Sequence, residues 1–89
     1  MIEETVTIIN RLGLHARAAA RLVDCAARFS SETFIEKDGK SVDAKSIMSV
    51  MMLAAGQGTP LKLRVEGSDE AAAFEAIASL INDRFGEPD

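Results

Sequence analysis

The most constraining stretch of the sequence is Pro60-Leu61-Lys62-Leu63-Arg64-Val65-Glu66, where apolar and charged residues alternate. Successive side chains of a β-strand point to opposite faces, so this strand buries Leu61, Leu63 and Val65 and leaves Lys62, Arg64 and Glu66 in water. A sheet that contains it has one open face. The direction of pairing comes from Asp38-Gly39, which separates extended runs at residues 33–37 and 40–44. A two-residue Asp-Gly link suits the type I′ turn of an antiparallel hairpin, because both central residues of that turn need positive φ.

The remaining segments supply a layer to cover the buried face. Thr5, Val6, Thr7, Ile8 and Ile9 predict a first strand over residues 4–10, with Val6 and Ile8 on one face. After Gly13, the positions Ala19, Leu22, Val23 and Ala26 form an apolar stripe, while Arg17, Arg21, Asp24 and Arg28 keep helical spacing. Ser30 and Ser31 end this helix. Ser46 is placed as the N-cap of a short apolar helix over residues 47–53, which Gly56 or Gly58 terminates. Ser68 is placed as the cap of a last helix, with Asp69 and Glu70 in its first turn and Phe74, Ile77, Leu80 and Ile81 as its buried stripe; it runs towards Gly86, and Pro88 stops it. The order β-α-β-β-α-β-α lacks the regular period of parallel βαβ units. It predicts an α+β sandwich with helices on one face of the sheet.

At 89 residues the chain is expected to be one domain, residues 1–89, with a single core. The apolar fraction of 47% against 27% charged residues belongs to a folded protein, not to a disordered segment. A formal charge of −4, with no Trp or Tyr, argues against nucleic-acid binding. Cys25 has no second thiol with which to form a disulfide, and one histidine with one cysteine falls short of a metal site, so neither metal nor cofactor is expected. The N-terminal residues Glu3 and Glu4 are acidic where a signal peptide is basic, and no apolar run reaches membrane-spanning length. The expectation is a cytoplasmic protein without membrane insertion.

The only histidine, His15, stands where the first extended run gives way to the arginine-bearing helix. Backbone N–H groups in a first helical turn have no intrahelical acceptor, and the macrodipole favours anions there over an imidazolium. A neutral imidazole is a nucleophile, and an anionic group attached to it would meet those N–H groups and the guanidinium of Arg17. Gly13, just before the helix, permits positive φ and close backbone approach. Two readings stand at this point: a phosphoryl-holding site, or an ordinary surface histidine beside an arginine.

Three segments carry a resemblance that spans essentially the whole chain. Asn10-Arg11-Leu12-Gly13-Leu14-His15-Ala16-Arg17, then Lys45-Ser46-Ile47-Met48-Ser49-Val50-Met51, then Gly56-Gln57-Gly58 are similar to the active-site and regulatory segments of the HPr family, the histidine-containing phosphocarriers of the phosphoenolpyruvate-dependent sugar phosphotransferase system. The resemblance implies an open-faced β-sandwich, with a four-stranded antiparallel sheet of order 1-4-2-3 and three helices on one side. It implies that enzyme I delivers a phosphoryl group to Nδ1 of His15, that Arg17 is its charge partner, and that a sugar-specific IIA component receives it. Such a protein is a carrier, with no substrate of its own.

The sequence departs from the family pattern at Ala18, where proline is usual, and at Arg11 and Ser49. Alanine at an early helical position costs some rigidity and little else. Ser46 has two roles to weigh: a cap, and, by resemblance, the target of an HPr kinase/phosphorylase, whose product would add roughly −1.5 to −2 charge at a helix start. Leu14, Ile47, Met48 and Met51, with Leu53 less securely, are candidates for an apolar partner-binding patch rimmed by Arg11, Arg17, Arg21 and Lys45. Core packing is the competing role for these residues, and the preferred one for Val50 and Leu53. A monomer is the simplest carrier. The alternatives are a regulatory interaction module acting through Ser46, and a nitrogen-type phosphotransfer paralogue acting through His15 without sugar uptake.

Overall fold

Seven regular elements follow one another in the expected order in the computed structural model, which describes residues 1–89. They are β1 (Ile2–Thr7), α1 (Ala16–Ala27), β2 (Glu32–Lys37), β3 (Lys40–Asp43), α2 (Ile47–Met52), β4 (Pro60–Glu66) and α3 (Glu70–Asn82), followed by a 3-10 turn at Arg84–Gly86. The sheet order is β1-β4-β2-β3 with every pair antiparallel. Its register sets Val6 opposite Leu61, and Ile35 opposite both Leu63 and Val42. Leu61, Leu63 and Val65 are fully buried beneath the helices. On the open face the Arg64 guanidinium lies 5.1 Å from the centre of the Phe34 ring, a cation–π contact.

The helical layer contributes Ala18, Ala19, Leu22 and Ala26 from α1, Val50 from α2, and Ala73, Ile77 and Ile81 from α3, all fully buried. Phe74 and Leu80 are half-buried at the edge of this core. Cys25 is buried too.

The element ends depart from expectation wherever a tertiary contact overrides the local signal. β1 lies two to three residues earlier than residues 4–10, and the chain beyond it is held by the loop before β4: Ile8 donates its N–H to the Thr59 carbonyl at 3.0 Å and accepts from Gly58 N–H at 2.7 Å. Asn10 turns its side chain into the interior. α2 ends at Met52 with Leu53 as its C-cap, before either glycine, because Ala54 takes φ of 53° and the ammonium of Lys37 donates to the Leu53 and Ala54 carbonyls at 2.9 and 3.3 Å. The residue at the start of α3 is Asp69, not Ser68, and its carboxylate caps nothing in its own helix. It accepts instead from the N–H groups of Ser30 and Ser31, both at 2.9 Å, and from the Ser31 hydroxyl. Gly67 allows this approach, since a Cβ there would lie 2.7 Å from the Ser31 Cα.

The largest departure is the last turn. The helix stops at Asn82; Arg84 and Phe85 both adopt φ of 55° and Gly86 follows at 78°. Left-handed backbone is strained for residues with side chains. The turn persists because it sinks Phe85 completely into the core and because Arg21 donates to the Phe85 carbonyl. Its consequence is a chain end that runs back across the start of α1.

Candidate functional site

The start of α1 is positioned by backbone contacts with the loop after α2. Gly13, at φ of 67°, packs so tightly there that a Cβ would lie 2.5 Å from the Ala55 carbonyl oxygen. One residue on, Leu14 donates its N–H to that same carbonyl at 2.8 Å. The helix therefore begins at a fixed place. His15 is its N-cap residue, with extended backbone (φ −71°, ψ 176°) and a side chain that makes no capping bond. The first N–H used inside the helix is that of Ala19, to the His15 carbonyl at 2.8 Å, so those of Ala16, Arg17 and Ala18 precede the ladder.

The imidazole is half-buried, with 30% of its side chain exposed. Its Nε2 is hydrogen-bonded to a carboxylate oxygen of Glu87, and Nδ1 makes no hydrogen bond. The other Glu87 oxygen accepts from the Asn10 amide at 3.0 Å, and that amide also donates to the Gly13 carbonyl at 2.8 Å. These bonds hold the Glu87 carboxyl below the usual range for glutamate, with the Asn10 amide the largest influence and the histidine next.

Arg11, Leu12, His15, Arg17, Glu87 and Asp89 line an open cleft of about 490 Å³. Arg11 is held over it by its backbone N–H, which donates to the Asp89 carbonyl at 2.7 Å, and its guanidinium lies 3.9 Å from the Asp89 carboxylate. Arg17 is exposed and pairs with no carboxylate. The structure thus brings His15, Arg11 and Arg17 together. Arg21 does not line the cleft, being engaged with the Phe85 carbonyl, and Lys45 donates to the Phe29 carbonyl at 2.9 Å, past the far end of α1.

Ser46 is the N-cap of α2, its hydroxyl accepting from Ser49 N–H at 3.4 Å. On α2, Ile47, Met48 and Met51 are exposed, while Val50 and Leu53 are buried as the preferred reading had it. Leu14 corrects the expected patch. It lies in the core at 6% exposure, drawn inward with the backbone bond to Ala55, and cannot offer a partner an apolar side chain. Two exposed apolar residues absent from the expected set, Leu12 and Met52, are 63% and 66% accessible.

A family model described as "PTS HPr component phosphorylation site" matches residues 2–83. The chain belongs to the HPr family. It is 52% identical over 87 residues to the phosphocarrier protein HPr of Cupriavidus necator, covering 98% of each chain. Among solved structures, HPr-C-His from Thermoanaerobacter tengcongensis superposes with a TM-score of 0.94 at 50% identity, again over 98% of both chains. An HPr dimer from the same organism matches at a TM-score of 0.79 and 50% identity, over 98% of this chain and all of that one. The open-faced sandwich of order 1-4-2-3 is thus the HPr fold, and the membership places the chain among phosphocarriers of the phosphotransferase system, not among catalysts. In this chain the Asn10–Glu87 pair is the part of the site that sequence reading missed. Nothing in Gly86-Glu87-Pro88 announces a contact with His15, because the path depends on three left-handed residues before it.

Proposed function

We propose that this chain carries a phosphoryl group on Nδ1 of His15, received from enzyme I and passed to a sugar-specific IIA component. What supports the reading is one observation: His15 sits at the start of α1 with Nδ1 unbonded, beside the unpaired guanidinium of Arg17. In the transfer, the Nδ1 lone pair attacks phosphorus as the bond from phosphorus to the donor breaks, and the donor keeps that electron pair. The phosphoryl oxygens are then met by the free N–H groups at the start of α1 and by Arg17. An open cleft holds the group without closing over it, so the acceptor's own groups supply most of the transition-state stabilisation.

Enzyme I and the IIA component dock, in this reading, over the cleft and the exposed α2 residues Ile47, Met48 and Met51, with Arg11 and Arg17 facing acidic groups of the partner. The carrier works as a monomer in the cytoplasm, where those partners act. Ser46 is a second control point: an HPr kinase/phosphorylase would place roughly −1.5 to −2 charge at the start of α2, next to the docking residues. The reading is tested by incubating the chain with enzyme I, magnesium and phosphoenolpyruvate. An acid-labile adduct on the wild type and none on His15→Ala supports it; an unmodified wild type in the presence of active enzyme I rejects it.

A further inference from the structure

Glu87 lies beyond the residues that the family model matches, yet it is the only side chain hydrogen-bonded to His15. Its carboxylate is well covered, at 16% exposure, and is fixed from both directions along the chain. Before it, Phe85 is anchored in the core and held by Arg21; after it, Arg11 N–H binds the Asp89 carbonyl. Asn10 orients the carboxylate itself. Two elements far apart in sequence thus set one acceptor against one ring nitrogen.

The chemistry follows from which atom is the acceptor. An ionised carboxylate can only accept, so the ring nitrogen it touches carries the proton, and the lone pair of the neutral ring is left on Nδ1. When Nδ1 takes a phosphoryl group, the ring becomes a cation that still holds its Nε2 proton, now facing a negative charge. In the reverse direction the N–P bond breaks, its electron pair returns to Nδ1, the phosphoryl group passes to the acceptor, and a neutral imidazole departs. No proton need move in either direction. If the Nε2 proton were lost to water after phosphorylation, the leaving group would be an imidazolate, which is far poorer.

We infer that Glu87 is a positioning residue that keeps the proton on Nε2 of His15 throughout the cycle, making Nδ1 the nucleophile and keeping the phosphorylated ring ready to release its cargo. This rests on the phosphocarrier reading and adds to it the residue that sets the direction of the ring. Asp in a Ser-His-Asp triad does the same for its histidine.

The test uses the full chain labelled with ¹⁵N in histidine, as wild type, Glu87→Ala and Glu87→Gln, at one neutral pH. In the unphosphorylated wild type the ring nitrogens should report a single Nε2–H tautomer; Glu87→Ala should report a mixture, and Glu87→Gln, whose amide oxygen still accepts, should restore most of the wild-type spectrum. With enzyme I and phosphoenolpyruvate, Glu87→Ala should transfer about tenfold more slowly in both directions with KM for the carrier unchanged, the size expected for losing a group that orients a functional histidine. An unchanged tautomer and rate in Glu87→Ala, or a change in KM alone, would overturn the inference. A wild type that enzyme I does not phosphorylate would sink the carrier reading instead, and the spectra of the free ring would still judge the hydrogen bond.

Discussion

Arg17 and Arg11 line the same cleft but are in different situations: Arg11 faces the Asp89 carboxylate at 3.9 Å, whereas Arg17 forms no ion pair. An unpaired guanidinium beside the ring is available to a phosphoryl group at no cost in broken ion pairs. Lysine would keep the charge and lose the planar fork that binds two phosphate oxygens at once. Arg17→Lys is therefore expected to slow transfer from enzyme I by about 10- to 100-fold, the equivalent of one lost charge-assisted hydrogen bond, without shifting the thermal midpoint. Stopped-flow or quenched-flow phosphorylation measures the first and a melting curve the second. At this scale the sequence was legible at Gly13, His15 and Arg17, which share one local segment, and illegible at Glu87, whose contact spans 72 residues of chain.

Among the elements, the link between the α1–β2 loop and α3 responds to acid. Asp69 accepts from two backbone N–H groups and the Ser31 hydroxyl, which lower its pKa from 3.8 to about 2, the hydroxyl being the largest influence. A carboxyl depressed in the folded state adds stability that is fully present above its unfolded pKa and is lost as the pH falls through its folded one. Urea midpoints should thus fall between the 3.8 and about 2 that bound this titration, and fall less steeply in Asp69→Asn. Ser46 at the start of α2 is a milder case. With its capping distance at 3.4 Å, Ser46→Ala should cost about 0.5 kcal/mol in denaturant unfolding, the low end for an N-cap. The capping rules located Ser46 correctly and misplaced the cap of α3, because the Asp69 carboxylate serves another loop and leaves its own helix unbonded.

The whole molecule is tied together by Phe85, which stands four residues after Ile81, in step with the α3 stripe, but is carried into the core by a left-handed turn and not by the helix. Alternation in β4, the Asp-Gly hairpin and the helical stripes carried the sandwich into view because they repeat over several residues; the terminal turn is a single event driven by one buried ring. Phe85→Ala should cost about 3–5 kcal/mol, a large part of the 5–15 kcal/mol typical of a domain this size. It should also free the tail, so that the His15 ring loses its single tautomer even under conditions where the chain stays folded. Calorimetry and the ¹⁵N ring spectrum report the two effects separately.

The proposed function puts the phosphoryl group on Nδ1 of His15, with Nε2 held by Glu87. A ³¹P–¹⁵N correlation on the chain labelled in histidine and phosphorylated by enzyme I reads that bond directly. Phosphorus coupled to Nδ1, with a proton retained on Nε2, is the predicted spectrum; coupling to Nε2, or phosphate carried on any other residue, contradicts it.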